Sequence, residues 1–138
     1  MNNQDAYYLG KNALIFGGGK GIGKAVAKEF AARGASVAIA DIDLDAAQET
    51  AAGIVAQGGL AIGLKADALS DQSIATTTTV SESSLGDLDI VVNNVGAMLN
   101  GHPEDIPMAE WQRMMDLNYF SPIRSLQIIL PKFLAKGC

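Results

Sequence analysis

A chain of 138 residues, 49% apolar and 18% charged, suits one globular domain with its own core and not a disordered segment. Its net charge of −5, with Lys and Arg scattered, argues against binding to nucleic acid or an anionic membrane surface. A single cysteine, Cys138, excludes an internal disulfide and a cysteine-built metal cluster, and fits a reducing cytoplasm.

The first ten residues, MNNQDAYYLG, have neither a basic stretch nor an apolar run, so no signal peptide is expected. No later apolar run nears the ~18–20 residues of a membrane-spanning helix. NALIF, Asn12–Phe16, reads as a buried strand, and five glycines follow within residues 17–23. GIGKAVAKEFAARG predicts a helix with Ile22, Val26 and Phe30 on its apolar face and Gly34 as its stop. Residues 36–40, SVAIA, predict a second strand, followed by a helix over 44–56 that ends at Gly58 and Gly59. LAIGLKA is a third strand, interrupted by Gly63. Residues 71–84 fall where a helix belongs, with Asp71 at its start, although threonines at 76–79 lose rotamer freedom in one. Residues 88–92, LDIVV, predict a fourth strand. A long helical stretch covers 107–135, with Pro107 in its first turn and Pro122 expected to end or kink it.

Apolar strands that do not alternate, each followed by a helix, imply a parallel sheet covered on both faces. No repeat or linker divides 1–138, so the expectation is one α/β domain.

In such sheets ligands bind beyond the carboxyl ends of the strands, where helix N-termini offer free N–H groups. The glycine-rich stretch occupies that junction, and two phosphate-binding loops compete for it. A nucleoside-triphosphate loop, G-x-x-x-x-G-K-[ST], is matched by residues 18–24 but fails at Ala25, where a magnesium-binding hydroxyl is needed. LDIVV also runs into Asn93 and Asn94 instead of an acidic residue. The other possibility is a dinucleotide loop, with Gly17, Gly21 and Gly23 in the spacing G-x-x-x-G-x-G. Glycines also gather where a turn only joins a strand to a helix, so the loop needs support from elsewhere. Asp41 supplies it, ending the second strand at about the interval from which an acidic residue grips the adenosine ribose.

GGGKGIG, ADID, KADA, DIVVNNVG and MMDLN occur in this order, and over 11–138 the chain resembles the short-chain dehydrogenases/reductases. That resemblance implies a Rossmann-type doubly wound parallel sheet and a nicotinamide dinucleotide cofactor. It places Gly17, Gly19, Lys20, Gly21, Ile22 and Gly23 in the cofactor loop and Asp41 on the adenine ribose. Asp67 and Ala68 would lie beside the adenine, and Asn94 and Gly96 along the cofactor edge. Asn118 corresponds to the family's catalytic asparagine, which holds a water in a proton relay. The family usually carries Thr where this chain has Phe16. Asp41 favours NAD by repelling a 2′-phosphate, whereas Lys20 favours NADP; the shorter reach of Asp41 sets the expectation at NAD.

The resembling enzymes also need a serine and a Tyr-x-x-x-Lys pair. Tyr7 and Lys11 have that spacing but precede the first strand, and Tyr8 and Tyr119 have no lysine four residues on. The expectation is therefore the cofactor-binding first half of such a fold, truncated to about four strands and inactive by itself. Its strand order would be 3-2-1-4, with an apolar edge at the fourth strand and a last helix too apolar for one face, so self-association is expected through either. A non-catalytic dinucleotide-binding or self-associating module is the alternative function. His102 reads as a solvated loop residue, Trp111, Met114 and Met115 as packing residues, and Asp43, Asp45 and Glu49 as a solvated helix start, with no metal site.

Overall fold

The structure, a computed structural model, describes residues 6–137; the first five residues and Cys138, with the expectations attached to them, lie outside that range. Four strands form one sheet: β1 (Asn12–Phe16), β2 (Ser36–Asp41), β3 (Leu60–Lys65) and β4 (Ile90–Asn93). Helices α1 (Gly21–Ala32), α2 (Leu44–Val55) and α3 (Asp71–Leu85) connect them, and α4 (Met108–Met115) and α5 (Ser121–Ala135) follow β4. The order is β3-β2-β1-β4, and every pair is parallel. This is the expected α/β, Rossmann-type arrangement.

Alternate residues of the central strands feed two cores, as the strand period of two requires. Ile15, Val37 and Ile39 pack with Ala27 of α1 and Ala47, Ala51 and Ile54 of α2 on one face. Leu14, Phe16, Ala38 and Ala40 pack with Ile74 of α3, Leu88 and Ile129 of α5 on the other. Because both faces are covered, β1 and β2 read as unbroken apolar runs. Gly63 proves to be a contact point: a side chain there would come within 2.6–2.7 Å of the α2 backbone at Ala47 and Gln48.

Two details differ from expectation. β4 begins at Ile90, not at residue 88, because Leu88 is drawn into the core just before the strand. The threonine run is helical, as its position led one to expect, since burial of Ile74, Thr77 and Thr78 outweighs propensity. Thr78 donates its hydroxyl back to the carbonyl of Ile74 at 2.8 Å. The 107–135 stretch is neither one helix nor broken at Pro122. A single wide π-helical turn, Asp116–Phe120, lies between α4 and α5, and Pro122 sits in the first turn of α5. A wide turn before a proline relieves the contact its ring would make with the preceding carbonyls. The Ser121 hydroxyl donates to the Leu117 carbonyl at 2.7 Å, while the Ser121 N–H donates to the Asp116 carbonyl. Pro131 also lies inside α5 but is exposed, so water can serve the carbonyl it leaves unpaired.

β4 pairs only with β1. Trp111, Met115, Tyr119, Phe120, Leu126 and Leu134 leave an exposed apolar band along α4, the π turn and α5. Among the described residues no helix is long and apolar enough to cross a membrane, and no His/Cys/Asp/Glu cluster could hold a metal.

Candidate functional site

Because the chain runs β1 to β2 to β3 and then returns to the far side of β1, the strand order reverses between β1 and β4. In open α/β sheets the crevice at the carboxyl end of that reversal is the binding site. It is here a cavity of about 680 Å³, within the range of small-molecule sites. Its walls include Gly17, Lys20 and Gly21 after β1, Asp41 and Asp43 after β2, and Asp67 and Ala68 after β3. Asn94 and Gly96 follow β4, and of these residues all but Asp43 were expected from sequence.

The loop after β1 is drawn tight by close approaches that only glycine permits. Gly17 has φ +73°, and a side-chain carbon at position 23 would lie 1.9 Å from the Gly17 carbonyl oxygen. The loop is then braced by side chains from elsewhere in the chain. The Asn94 amide donates to the Gly17 carbonyl at 3.1 Å, the Thr50 hydroxyl donates to the Gly19 carbonyl at 3.0 Å, and the Gly19 N–H donates to Asp41 Oδ2 at 2.9 Å. Phe16, where a threonine hydroxyl was expected, is only 2% exposed and belongs to the core. These three bonds brace the loop without it.

The N–H groups of Gly17 and Gly18 both donate to the Ala40 carbonyl, at 2.7 and 3.2 Å. Gly17 and Gly19 therefore shape the loop with their N–H groups already in use. The first intrahelical bond of α1 runs from Lys24 N–H to the Lys20 carbonyl, and Lys20 at the N-cap provides no side-chain cap. The first-turn donors of α1, on Gly21, Ile22 and Gly23, are thus left for a ligand. Gly19, Ile22 and Gly23 are absent from the cavity wall, and the Ile22 side chain is largely exposed.

Asp41 faces the cavity with both oxygens in use, since Oδ1 also accepts from the Asp43 N–H at 3.0 Å. Lys20 is not a free solvated cation. Its Nζ donates to Asp43 Oδ2 at 2.6 Å, which raises the ammonium above its ordinary pKa and holds the Asp43 carboxyl below its own, through that hydrogen bond first. Asp43 also caps α2, accepting from Ala46 N–H at 3.1 Å. Asp67 forms a turn of its own, its side chain accepting from Leu69 N–H at 2.9 Å.

Asn118 sits in the π turn and is not on the cavity wall. Its side chain pairs with the Ala97 backbone in both directions, at 3.0 and 2.9 Å, and donates to the Met114 carbonyl. A side chain at Gly96 would come within 2.7 Å of Asn118 Oδ1, so glycine there lets the segment after β4 lie against the turn. Arg113 and Leu117, with Ile42 and Leu69, also line the cavity and were missed. The apolar positions of 107–135 signalled a helix, but nothing local showed which residues would face the site.

These features suit an elongated anionic ligand with two ends: free helix donors at the switch point, a carboxylate after β2 and a groove continuing past β3 and β4.

Comparison with known proteins agrees. The family model for short chain dehydrogenase matches residues 11–137, so the chain belongs to the short-chain dehydrogenase family, whose cofactor is NAD(P). It is 40% identical over 138 residues to 7alpha-hydroxysteroid dehydrogenase of Escherichia coli (strain K12), covering 99% of this chain and 54% of that protein. To cyclohexanol dehydrogenase of Acinetobacter sp. (strain SE19) it is 35% identical, covering 92% of this chain and 51% of that one. A crystal structure of hydroxysteroid dehydrogenase from Escherichia coli superposes with a TM-score of 0.90 at 38% identity, over 99% of this chain and 57% of that one. The chain spans about half the length of the curated relatives it matches.

Proposed function

We propose that this chain binds NAD in preference to NADP, as the cofactor-holding part of an oxidoreductase that transfers hydride between the nicotinamide and an alcohol or ketone. The observation that carries the preference is Asp41, a carboxylate at the end of β2 on the cavity wall. It would accept from a ribose hydroxyl and repel a 2′-phosphate. The nicotinamide, when bound, takes up or gives up the hydride. The chain's own residues bind and orient. The N–H groups of Gly21, Ile22 and Gly23 hold the pyrophosphate, Asp67 and Ala68 flank the adenine, and Asn94 and Gly96 border the nicotinamide half. Asn118 is a positioning residue. Its amide is committed to Ala97 and Met114, so we assign the relay water to its main-chain carbonyl, four residues before Pro122 and so without that N–H.

Calorimetric titration of the chain with NAD, NADP and magnesium-ATP tests this. NAD should bind more tightly than NADP. Asp41→Ala should weaken NAD at least about tenfold, the worth of a hydrogen bond to a charged group. Tighter binding of magnesium-ATP, or indifference to Asp41→Ala, overturns the assignment. A second reading, self-association through a second copy of the chain, rests on the exposed apolar band of α4 and α5. Light scattering on the same sample decides it, and a clean monomer refutes it.

A further inference from the structure

We infer that Asp43 is a specificity-determining residue, which works by holding Lys20 out of reach of a 2′-phosphate. This rests on the dinucleotide reading of the cavity and adds a second determinant beside Asp41.

Lys20 and Asp43 lie 23 positions apart and meet because β1 and β2 are neighbours in register. Both stand on the cavity wall next to Asp41. A lysine there would attract the extra phosphate of NADP, and by itself it would offset the repulsion from Asp41. Its Nζ instead lies 2.6 Å from Asp43 Oδ2. Asp43 is held in place by its second role, since Oδ1 caps α2 through Ala46 N–H. The carboxylate thus divides its two oxygens between the helix and the lysine. A 2′-phosphate would have to displace a formed ion pair and then approach two carboxylates with one shared cation. A ribose with free hydroxyls meets no such demand.

The capping role supplies the test. Asn caps helix N-termini as well as Asp does, so Asp43→Asn keeps α2 and removes the charge that holds Lys20. Affinities for NAD and NADP are measured by calorimetry on the wild-type chain, Asp43→Asn, Lys20→Ala and the double variant, with a melting curve for each. Asp43→Ser, a second capping residue, stands in if Asp43→Asn does not fold. The NADP-to-NAD affinity ratio should rise about fivefold in Asp43→Asn, the worth of one exposed ion pair. It should hardly change in Lys20→Ala and return to the wild-type ratio in Asp43→Asn/Lys20→Ala. An unchanged ratio in Asp43→Asn overturns the inference while leaving the dinucleotide site standing. So does a rise that survives in the double variant, because the effect would then be repulsion by Asp43 alone. Failure of the wild-type chain to bind NAD overturns the dinucleotide reading and this inference with it.

Discussion

The two ends of the sheet are built on opposite plans. At the amino end polar groups close on one another. Asp89 accepts from the Asn12 N–H at 2.9 Å and pairs with Lys11, the Asn12 amide donates to the Asp87 carbonyl, and Lys136 donates to the Leu88 carbonyl. At the carboxyl end the side chains of Asn94, Thr50 and Asp41 brace the backbone of the loop after β1, while the first-turn donors of α1 stay uncapped. The neighbouring helices show that this is not forced by the fold. Asp43 caps α2 and Ser70 caps α3, the latter accepting from Ser73 N–H. One end of the molecule is closed for stability, and the other is held open at a fixed shape.

The largest effect should come from Gly23→Ala. Its methyl would meet the Gly17 carbonyl oxygen at 1.9 Å and the Asn94 amide at 2.7 Å, and backbone cannot give way as the end of a flexible side chain does. The loop would have to open, with a loss of about 2–3 kcal/mol, as for an overpacked core site. NAD binding should disappear with it. Urea unfolding and an NAD titration check both. Normal affinity in a normally stable Gly23→Ala chain would mean that the tight loop is not what shapes the site.

Much of this plan was legible in the sequence. The apolar runs of β1 and β2 are buried on both faces, so their boundaries followed from composition, whereas the strand order followed from the resemblance to a doubly wound fold. Asp41 was found because its distance from the glycines is set by one helix and one strand. What escaped depends on contacts between distant elements. Lys20 and Asp43 looked like separate solvated charges, and only the pairing of β1 with β2 brings them together. Arg113 and Leu117 reach the cavity from α4 and the π turn, about a hundred residues after the loop. The π turn escaped too: Pro122 pointed to an end or kink at the proline itself, and the turn's place before it depends on packing of α5 against the sheet, including buried Ile129.

A smaller effect, at the closed end, should follow from Asp89→Asn. The hydrogen bond from Asn12 N–H, reinforced by Lys11, holds the Asp89 carboxyl below its ordinary pKa. A carboxyl depressed in the folded state stabilises above its unfolded value, and that contribution is lost as pH falls through the folded value. Asp89→Asn should therefore be about 1 kcal/mol less stable than wild type at pH 7, part of the worth of a charged hydrogen bond. The gap should begin to narrow below about pH 4, the ordinary carboxyl value, and close as pH falls through the lower folded value. NAD affinity should be unchanged, since Asp89 precedes β4 and meets β1 at its amino end, away from the cavity. Unfolding curves at pH 7 and pH 3 decide it, and a gap as wide at pH 3 as at pH 7 would remove the charge from the explanation.

The smallest effect, and the sharpest on the contrast between the ends, should come from giving α1 the cap that α2 and α3 have. Serine at position 20 can accept from the first-turn N–H groups, as Ser70 does for α3. Lys20→Ser should stabilise the free chain by about 0.5–1 kcal/mol, raising the melting temperature by a few degrees at this chain length. The same oxygen competes with a bound pyrophosphate for those donors, so NAD affinity should fall about threefold to tenfold, a change of similar size in free energy. Lys20→Ala separates this from loss of the lysine's charge, because it removes the ammonium without supplying an acceptor. If Lys20→Ser and Lys20→Ala weaken NAD equally, the donors of Gly21, Ile22 and Gly23 are not what holds the pyrophosphate. If only the serine variant gains stability and loses further affinity, the open helix end is a feature kept for the ligand at the expense of the empty fold.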